Sequence, residues 1–354
     1  MKPHVLPPGV VLPADPPPGA TRPRTATAVL LDPQSRINPG EHRAVYEALP
    51  AVRERLAEAS AIVGADLAAA VLDGTEQEAN RGVVARPSVL ALNVALYGEA
   101  MRGRQRPPAY LAGLSLGQIT AAHLAGCMSF ADAVRMCHLM ASIEEEAWGG
   151  KPYGVYFFHN ADLARLGTLM RALDSPEQML RPCAYVADDQ MIVTGHLDAL
   201  GRLAGQALSM GALGLPIPYG PPAHCELLRE VQEEFGARWH YRDGLAAPAV
   251  PLLCNLAAEP LTTASQVGAA LLAQYTRPVR WAQSLYRLAE LGVRDLVVPG
   301  PGRFLHRSLE SLSVRFGIQG PDAVLEAVGA VAGVGAGAGA GVGAVGAGPG
   351  VAVS

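Results

Sequence analysis

Gly113-Leu114-Ser115-Leu116-Gly117 lies where a short strand over 108–113 gives way to a helix over 116–124. Glycines on both flanks let the backbone bend tightly. The serine hydroxyl then projects at the sheet edge, and the amide that follows it opens a helix N-terminus facing the same point. That arrangement is a nucleophile elbow. The same five residues also suit a small-residue turn that packs a helix on a strand.

Outward from this turn, short β-branched runs alternate with longer helical ones. Residues 26–31 predict a strand, and 40–64 a helix with Val45, Leu49, Val52 and Leu56 on one face. Residues 87–101 predict another helix with Pro87 in its first turn. Farther on, 184–186 and 191–193 predict a hairpin around Asp188-Asp189-Gln190, followed by a helix over 197–210 and an extended 213–218. An extended 250–253, helices near 265–275 and 281–291, and a strand over 295–298 restore α/β order. The succession predicts an α/β fold, a parallel sheet flanked by helices, with a small α+β piece inserted at 152–218 between two parts of a larger body, 26–151 and 219–320.

The chain of 354 residues is 50% hydrophobic and 17% charged, enough apolar material for a substantial core. Lys+Arg 28 against Asp+Glu 32 gives a net charge of −4, without the basic surplus that grips a phosphate backbone, so nucleic acid is excluded as a partner. Five cysteines, an odd and scattered set with no C-x-x-C spacing, argue against a disulfide framework or a structural zinc site and place the chain in a reducing compartment, the cytoplasm. Residues 1–25, rich in proline, read as a flexible arm. Residues 321–354 form a Gly/Ala/Val tail that lacks the Leu, Ile and Phe of a membrane span, so no membrane association is expected. The G-x-G-x-x-G matches in that tail follow no strand and open no helix, and so fail as a dinucleotide site.

A serine hydroxyl needs a base within hydrogen-bond reach. His4 lies in the arm, His123 and His138 fall in helical segments, and His42, His159, His196, His240 and His306 have no surrounding motif. His224 differs, because Pro218-Tyr219-Gly220-Pro221-Pro222-Ala223 forms a stiff turn before a helix over 226–235 and would fix an imidazole in one orientation. A helix-start histidine making a local cap fits the same residues.

Taken together, these segments resemble the acyl-CoA to acyl-carrier-protein acyltransferases, which include malonyl transacylases and the acyltransferases of polyketide synthases. The resemblance spans roughly residues 26–315. Ala112 to Ala133 is similar to the family's nucleophile segment, Arg86-Pro87-Ser88 to Tyr97 to its Q-P-A helix, and Pro218 to Phe235 to the stretch carrying its histidine. Cys254 to Pro260, Gln274 to Trp281 and Gly300-Pro301-Gly302 follow in family order. The resemblance implies a hydrolase-like body, an inserted ferredoxin-like subdomain, and an acyl chain bound between them. It implies Ser115 as nucleophile, His224 as general base, Asn255 and Gln274 near the group that orients the histidine, and an oxyanion pocket from the N–H groups of Leu116 and Gln34. The family's G-Q-G-S-Q loop reads Asp32-Pro33-Gln34-Ser35-Arg36-Ile37 here, so the glutamine stays and the glycines are gone.

Further departures bear on the substrate. Leu114 replaces the family histidine before the nucleophile, Arg86 the Q-P-A glutamine, and Met140 stands where malonyl-type members carry an arginine that forks to the malonyl carboxylate. Ala223 takes the place of a bulky Phe. Met140 by itself also suits an ordinary core methionine. Loss of that charge and bulk implies a larger acyl group without a terminal carboxylate. Glu144, in the run Glu144-Glu145-Glu146, suits either a solvated helix face or an amino group on an aminoacyl or peptidyl substrate. The expectation is a discrete acyltransferase of polyketide-type biosynthesis that needs no bound cofactor. It would accept its acyl group from acyl-CoA or a carrier protein, with the acyl carrier protein as partner. An acyl hydrolase that clears stalled carrier-bound groups and a malonyl-CoA:carrier-protein transacylase are the alternatives.

Overall fold

Ala28-Val29-Leu30-Leu31 is wholly shielded from solvent, the continuous apolar run expected of a parallel strand covered on both faces. The computed structural model describes residues 26–218, 220–300 and 302–320. The proline-rich arm, Tyr219, Pro301 and the Gly/Ala/Val tail lie outside the described residues. The strands are β1 (Ala26–Leu31), β2 (Tyr110–Gly113), β3 (Tyr153–His159), β4 (Leu180–Ala187), β5 (Gln190–His196), β6 (Leu213–Ile217), β7 (Leu252–Leu253), β8 (Pro260–Leu261), β9 (Val279–Arg280), β10 (Val293–Val297) and β11 (Gly317–Gln319).

The larger sheet runs β11-β10-β1-β2-β7-β8 and is parallel except for the β7–β8 pair. The order turns back at β1, and α/β folds of this kind bind ligands at the carboxyl ends of the strands beside such a switch. Register fixes what meets there. Leu31 pairs with Gly113, so the loop that starts at Asp32 and the turn that holds Ser115 leave the sheet side by side. The smaller sheet runs β6-β3-β5-β4, antiparallel, from a β-α-β-β-α-β succession, which is a ferredoxin-like arrangement. Its fifth strand, β9, comes from outside 152–218 and pairs with β4 in parallel. Alternation along β3 and β5 gives this sheet two different faces. Phe158, Met191 and Val193 pack under the helices Leu163–Leu173 and Leu197–Leu208, while Val155, Phe157 and Ile192 turn toward the larger body.

Some expected boundaries move. The helix predicted over 40–64 is two helices, Arg43–Ala48 and Pro50–Val63, because Leu49 is extended ahead of a proline. Pro87 sits inside the helix Gly82–Met101 rather than in its first turn. The burial of Val84, Ala85 and the residues beyond Pro87 outweighs the lost backbone donor. The helix after β5 ends at Leu208, and the one after His224 starts as a 3₁₀ turn, Glu226–Leu228, before Arg229–Arg238. Among the described residues no helix is long and apolar enough to cross a membrane.

Candidate active site

Ser115 leaves β2 with φ 55° and ψ −111°, a conformation that a non-glycine residue adopts only when its surroundings impose it. The imposition comes from close packing at both glycines. A Cβ on Gly113 would lie 2.0 Å from the Gly117 carbonyl oxygen, and one on Gly117 would lie 2.2 Å from the Leu31 carbonyl oxygen. The helix Leu116–Leu124 therefore starts against β1, with the Ser115 hydroxyl standing clear of the sheet.

His224 arrives from the other direction. Its loop is tied to the smaller sheet through Thr194, whose Oγ1 donates to the Gly154 carbonyl at 3.1 Å and accepts the Ala223 N–H at 3.2 Å. The His224 backbone is also left-handed, with φ 55°. Its Nε2 lies 2.8 Å from Ser115 Oγ, and its Nδ1 lies 2.6 Å from the backbone carbonyl oxygen of Gln274. A carbonyl only accepts, so Nδ1 carries the proton and Nε2 presents its lone pair to the serine. Gln274 caps the C-terminus of the helix Ala264–Ala273, where the carbonyl end of the helix dipole favours an adjacent cation. Burial pulls the His224 pKa down to about 4; the Gln274 carbonyl opposes the shift and the Arg86 charge adds to it. The imidazole is thus neutral, as a base must be, across the physiological range.

Both residues open on a cavity of about 370 Å³, whose wall includes Gln34, Leu116, Met140 and Ala223. As the first helical residue, Leu116 has an N–H with no partner inside its helix. Leu114 also lines the cavity, and Val155, Phe157 and Ile192 supply an apolar wall from the smaller sheet. Asn255 makes no hydrogen bond to the imidazole. Its N–H donates to Gln118 Oε1 and its carbonyl accepts from Arg280, but its side-chain amide makes no hydrogen bond to a described residue. Gln274 meets the imidazole through its main chain, and its side-chain oxygen has no partner among the described residues.

Arg86, Glu144 and Gln34 form a cluster at the cavity wall. Arg86 Nε donates to Gln34 Oε1 at 2.9 Å, and a terminal guanidinium nitrogen pairs with the Glu144 carboxylate. Of the acidic run, Glu146 is exposed and Glu145 partly so. Glu144 is buried at 5% exposure, so neither the solvated face nor a carboxylate free for a substrate amine describes it. Burial works against the Arg86 charge, and the Glu144 carboxylate more than offsets it, raising the guanidinium pKa above its ordinary value.

Two contributors went unremarked in the linear reading. Thr194 is a lone threonine in a strand and carries no motif. Asp32 follows a buried strand directly, and a charge in that position was the available signal. Its Oδ2 accepts the Gly302 N–H at 3.0 Å, its Oδ1 has no partner among the described residues, and burial pushes the carboxyl up to about 7 against the pull of that N–H.

The malonyl CoA-acyl carrier protein transacylase of Salmonella typhimurium is 31% identical over 258 residues, 72% of this chain and 82% of that protein. The chain belongs to the malonyl CoA-acyl carrier protein transacylase family. The Escherichia coli K12 member is likewise 31% identical, over 260 residues. The polyketide biosynthesis protein ThaF of Burkholderia thailandensis is 26% identical over 256 residues, which make up 21% of that protein. Among solved structures, a malonyl-transacylase in complex with its type II polyketide synthase acyl-carrier protein superposes with a TM-score of 0.79 at 25% identity, covering 86% of this chain and 99% of that one. The acyltransferase domain from the second module of the salinomycin polyketide synthase shares the fold, with a TM-score of 0.73 at 23% identity, covering 86% of this chain and 72% of that one. No family model matches the chain. The transacylase family is a family of acyltransferases, and this chain is one.

Proposed function

We propose that this acyltransferase moves an acyl group without a terminal carboxylate onto, or between, acyl carrier proteins through an ester on Ser115. The observation that carries the chemistry is the 2.8 Å contact between Ser115 Oγ and a neutral His224 Nε2. Ser115 Oγ attacks the thioester carbonyl and passes its proton to Nε2. The resulting imidazolium is stabilised by the Gln274 carbonyl, and the N–H groups of Leu116 and Gln34 receive the oxyanion. Collapse breaks the carbon–sulfur bond, and the departing thiolate takes the proton from His224. An incoming pantetheine thiol then gives its proton to Nε2 and attacks the ester, and Ser115 regains a proton as it leaves. The reading requires no resident cofactor, since the acyl group arrives on a pantetheine arm.

The chain-end preference rests on the cavity wall. Met140 offers a thioether where a carboxylate would need a donor, Ala223 leaves room, and the facing strands are apolar. Of the two arginines that line the cavity, Arg86 is matched by Glu144 and Arg36 by Glu76. A carboxylate left unpaired there would lose several kcal/mol, roughly the range for a buried unpartnered charge. Similarity to ThaF supports a place in polyketide-type biosynthesis, and five buried free thiols support the reducing cytoplasm. A second reading, malonyl transfer, is favoured by the names of the relatives and by the presence of a guanidinium in the groove. The deciding experiment loads the enzyme separately from octanoyl-CoA and malonyl-CoA, then chases each acyl-enzyme with holo acyl carrier protein or with buffer alone. Octanoyl loading followed by transfer supports the proposal. Malonyl loading at equal or greater rate supports the second reading, and release of the acyl group into buffer as fast as into carrier marks a hydrolase.

A further inference from the structure

The Arg86–Glu144 pair spans two helices, Gly82–Met101 and Phe130–Trp148, and faces the same cavity as Ser115 and His224. The two side chains are only 14% and 6% exposed, so this is a buried pair rather than a surface contact. Glu144 lies one helical turn beyond Met140, which puts both side chains on one face of their helix and at the same wall of the groove. Arg86 is fixed from two sides, by Glu144 at a terminal nitrogen and by Gln34 at Nε. The Arg86 charge also reaches His224, whose pKa it helps to lower, so the guanidinium and the imidazole share one electrostatic environment.

From this geometry we infer that Glu144 is a specificity-determining positioning residue: by holding Arg86, it bars acyl groups that end in a carboxylate. A substrate carboxylate entering the groove meets a guanidinium whose charge is already matched, and must either displace Glu144 or sit beside it. Displacement strands a buried anion, and coexistence sets two like charges side by side. The exclusion is therefore a repulsive element built into the wall, not merely the absence of an attractive one. It follows that the groove retains a masked carboxylate receptor, which removal of the Glu144 charge would unmask.

This inference deepens the acyl preference proposed above and rests on it. The test reads the ratio of malonyl to octanoyl loading on Ser115, from the two CoA thioesters, in the wild type, Glu144→Gln, Glu144→Asp and the double variant Arg86→Gln/Glu144→Gln. The ratio is expected to rise roughly 10-fold or more in Glu144→Gln. It should stay near the wild-type value in Glu144→Asp, which keeps the pair, and fall back in the double variant, which lacks the Arg86 guanidinium while keeping Arg36 and its partner Glu76. If Glu144→Gln does not fold, Glu144→Met, which fills the same volume with apolar surface, carries the same prediction. A wild type that excludes malonyl, together with an unchanged ratio in a folded Glu144→Gln or Glu144→Met, overturns the inference and leaves the acyl preference standing. A wild type that loads malonyl as readily as octanoyl overturns the preference itself, and the inference with it.

Discussion

Ser115 and His224 face each other across 2.8 Å, and both hold a left-handed backbone with φ 55°. Each such conformation costs on the order of 1–3 kcal/mol in a non-glycine residue and persists only where packing imposes it. Here the impositions are independent. The Gly113–Gly117 contact with β1 sets one residue, and the Thr194 anchor with the Gln274 carbonyl sets the other. Ser115 and His224 thus come from the two separate parts of the larger body, 26–151 and 219–320, and the inserted subdomain contributes the Thr194 anchor.

Replacing either half should stop covalent chemistry. Ser115→Ala is expected to give no acyl adduct by intact-mass analysis, and His224→Ala to slow loading by at least ~10²-fold, the usual span for loss of a general base. Loading of His224→Ala at the wild-type rate would remove the imidazole from the reaction.

The acid limb of the reaction should sit unusually low. Burial lowers the His224 pKa to about 4, so the neutral, proton-accepting form persists as pH falls through 6.5 and is lost only on approaching 4. Ser115 loading measured from pH 4 to pH 8 should be level above about pH 5 by this shift. Half-maximal loading near pH 6.5 would contradict it.

Asp32 makes the opposite prediction for stability. Its carboxyl is raised from 3.8 to about 7 by burial, so the folded state holds a proton that the unfolded state releases, and stability is lost as pH rises through that window. Asp32→Asn keeps an acceptor for the Gly302 N–H without the charge. Its Tm should exceed that of the wild type at pH 8, with the difference shrinking toward pH 4. His224 is common to both proteins and cancels. A pH-independent difference would show that the carboxyl is not protonated in the fold.

Gly117→Ala should destabilise the chain by about 2 kcal/mol or more, because the added carbon would lie 2.2 Å from the Leu31 carbonyl oxygen and must push the helix from β1. Urea unfolding measures the loss. A change within ~0.5 kcal/mol, the range of ordinary surface substitutions, would mean that the turn is looser than its geometry.

Met140→Arg places a second guanidinium one turn from Glu144. It should raise malonyl loading only modestly, because Glu144 is there to pair with the newcomer. A gain larger than that of Glu144→Gln, measured by the same loading assay, would assign the selectivity to position 140 alone.

The elbow was legible because its two glycines stand at a strand-to-helix junction, and His224 because proline and glycine around it announce a rigid turn. An α+β insertion was legible in the hairpin strands at 184–186 and 191–193, whereas its ferredoxin-like form was implied only by the resemblance, the strand Tyr153–His159 and the helix Leu163–Leu173 having gone unread. The group that orients His224 is a main-chain carbonyl, which no side-chain pattern announces; the resemblance alone put Asn255 and Gln274 near it, and it is the Gln274 carbonyl that meets Nδ1. Arg86 and Glu144 lie 58 residues apart on two helices, and no local period records such a contact. Pro87 misled because a proline marks a helix start on local grounds, whereas here the burial of its neighbours decided the boundary.

The most direct test exposes the protein to a mixed pool of malonyl-, acetyl- and octanoyl-CoA, quenches it, and reads the mass and position of the adduct in the peptide containing Ser115. The expected product is an ester on Ser115 whose acyl group carries no free carboxylate. A malonyl ester as the main product, or acylation at a residue other than Ser115, would contradict it.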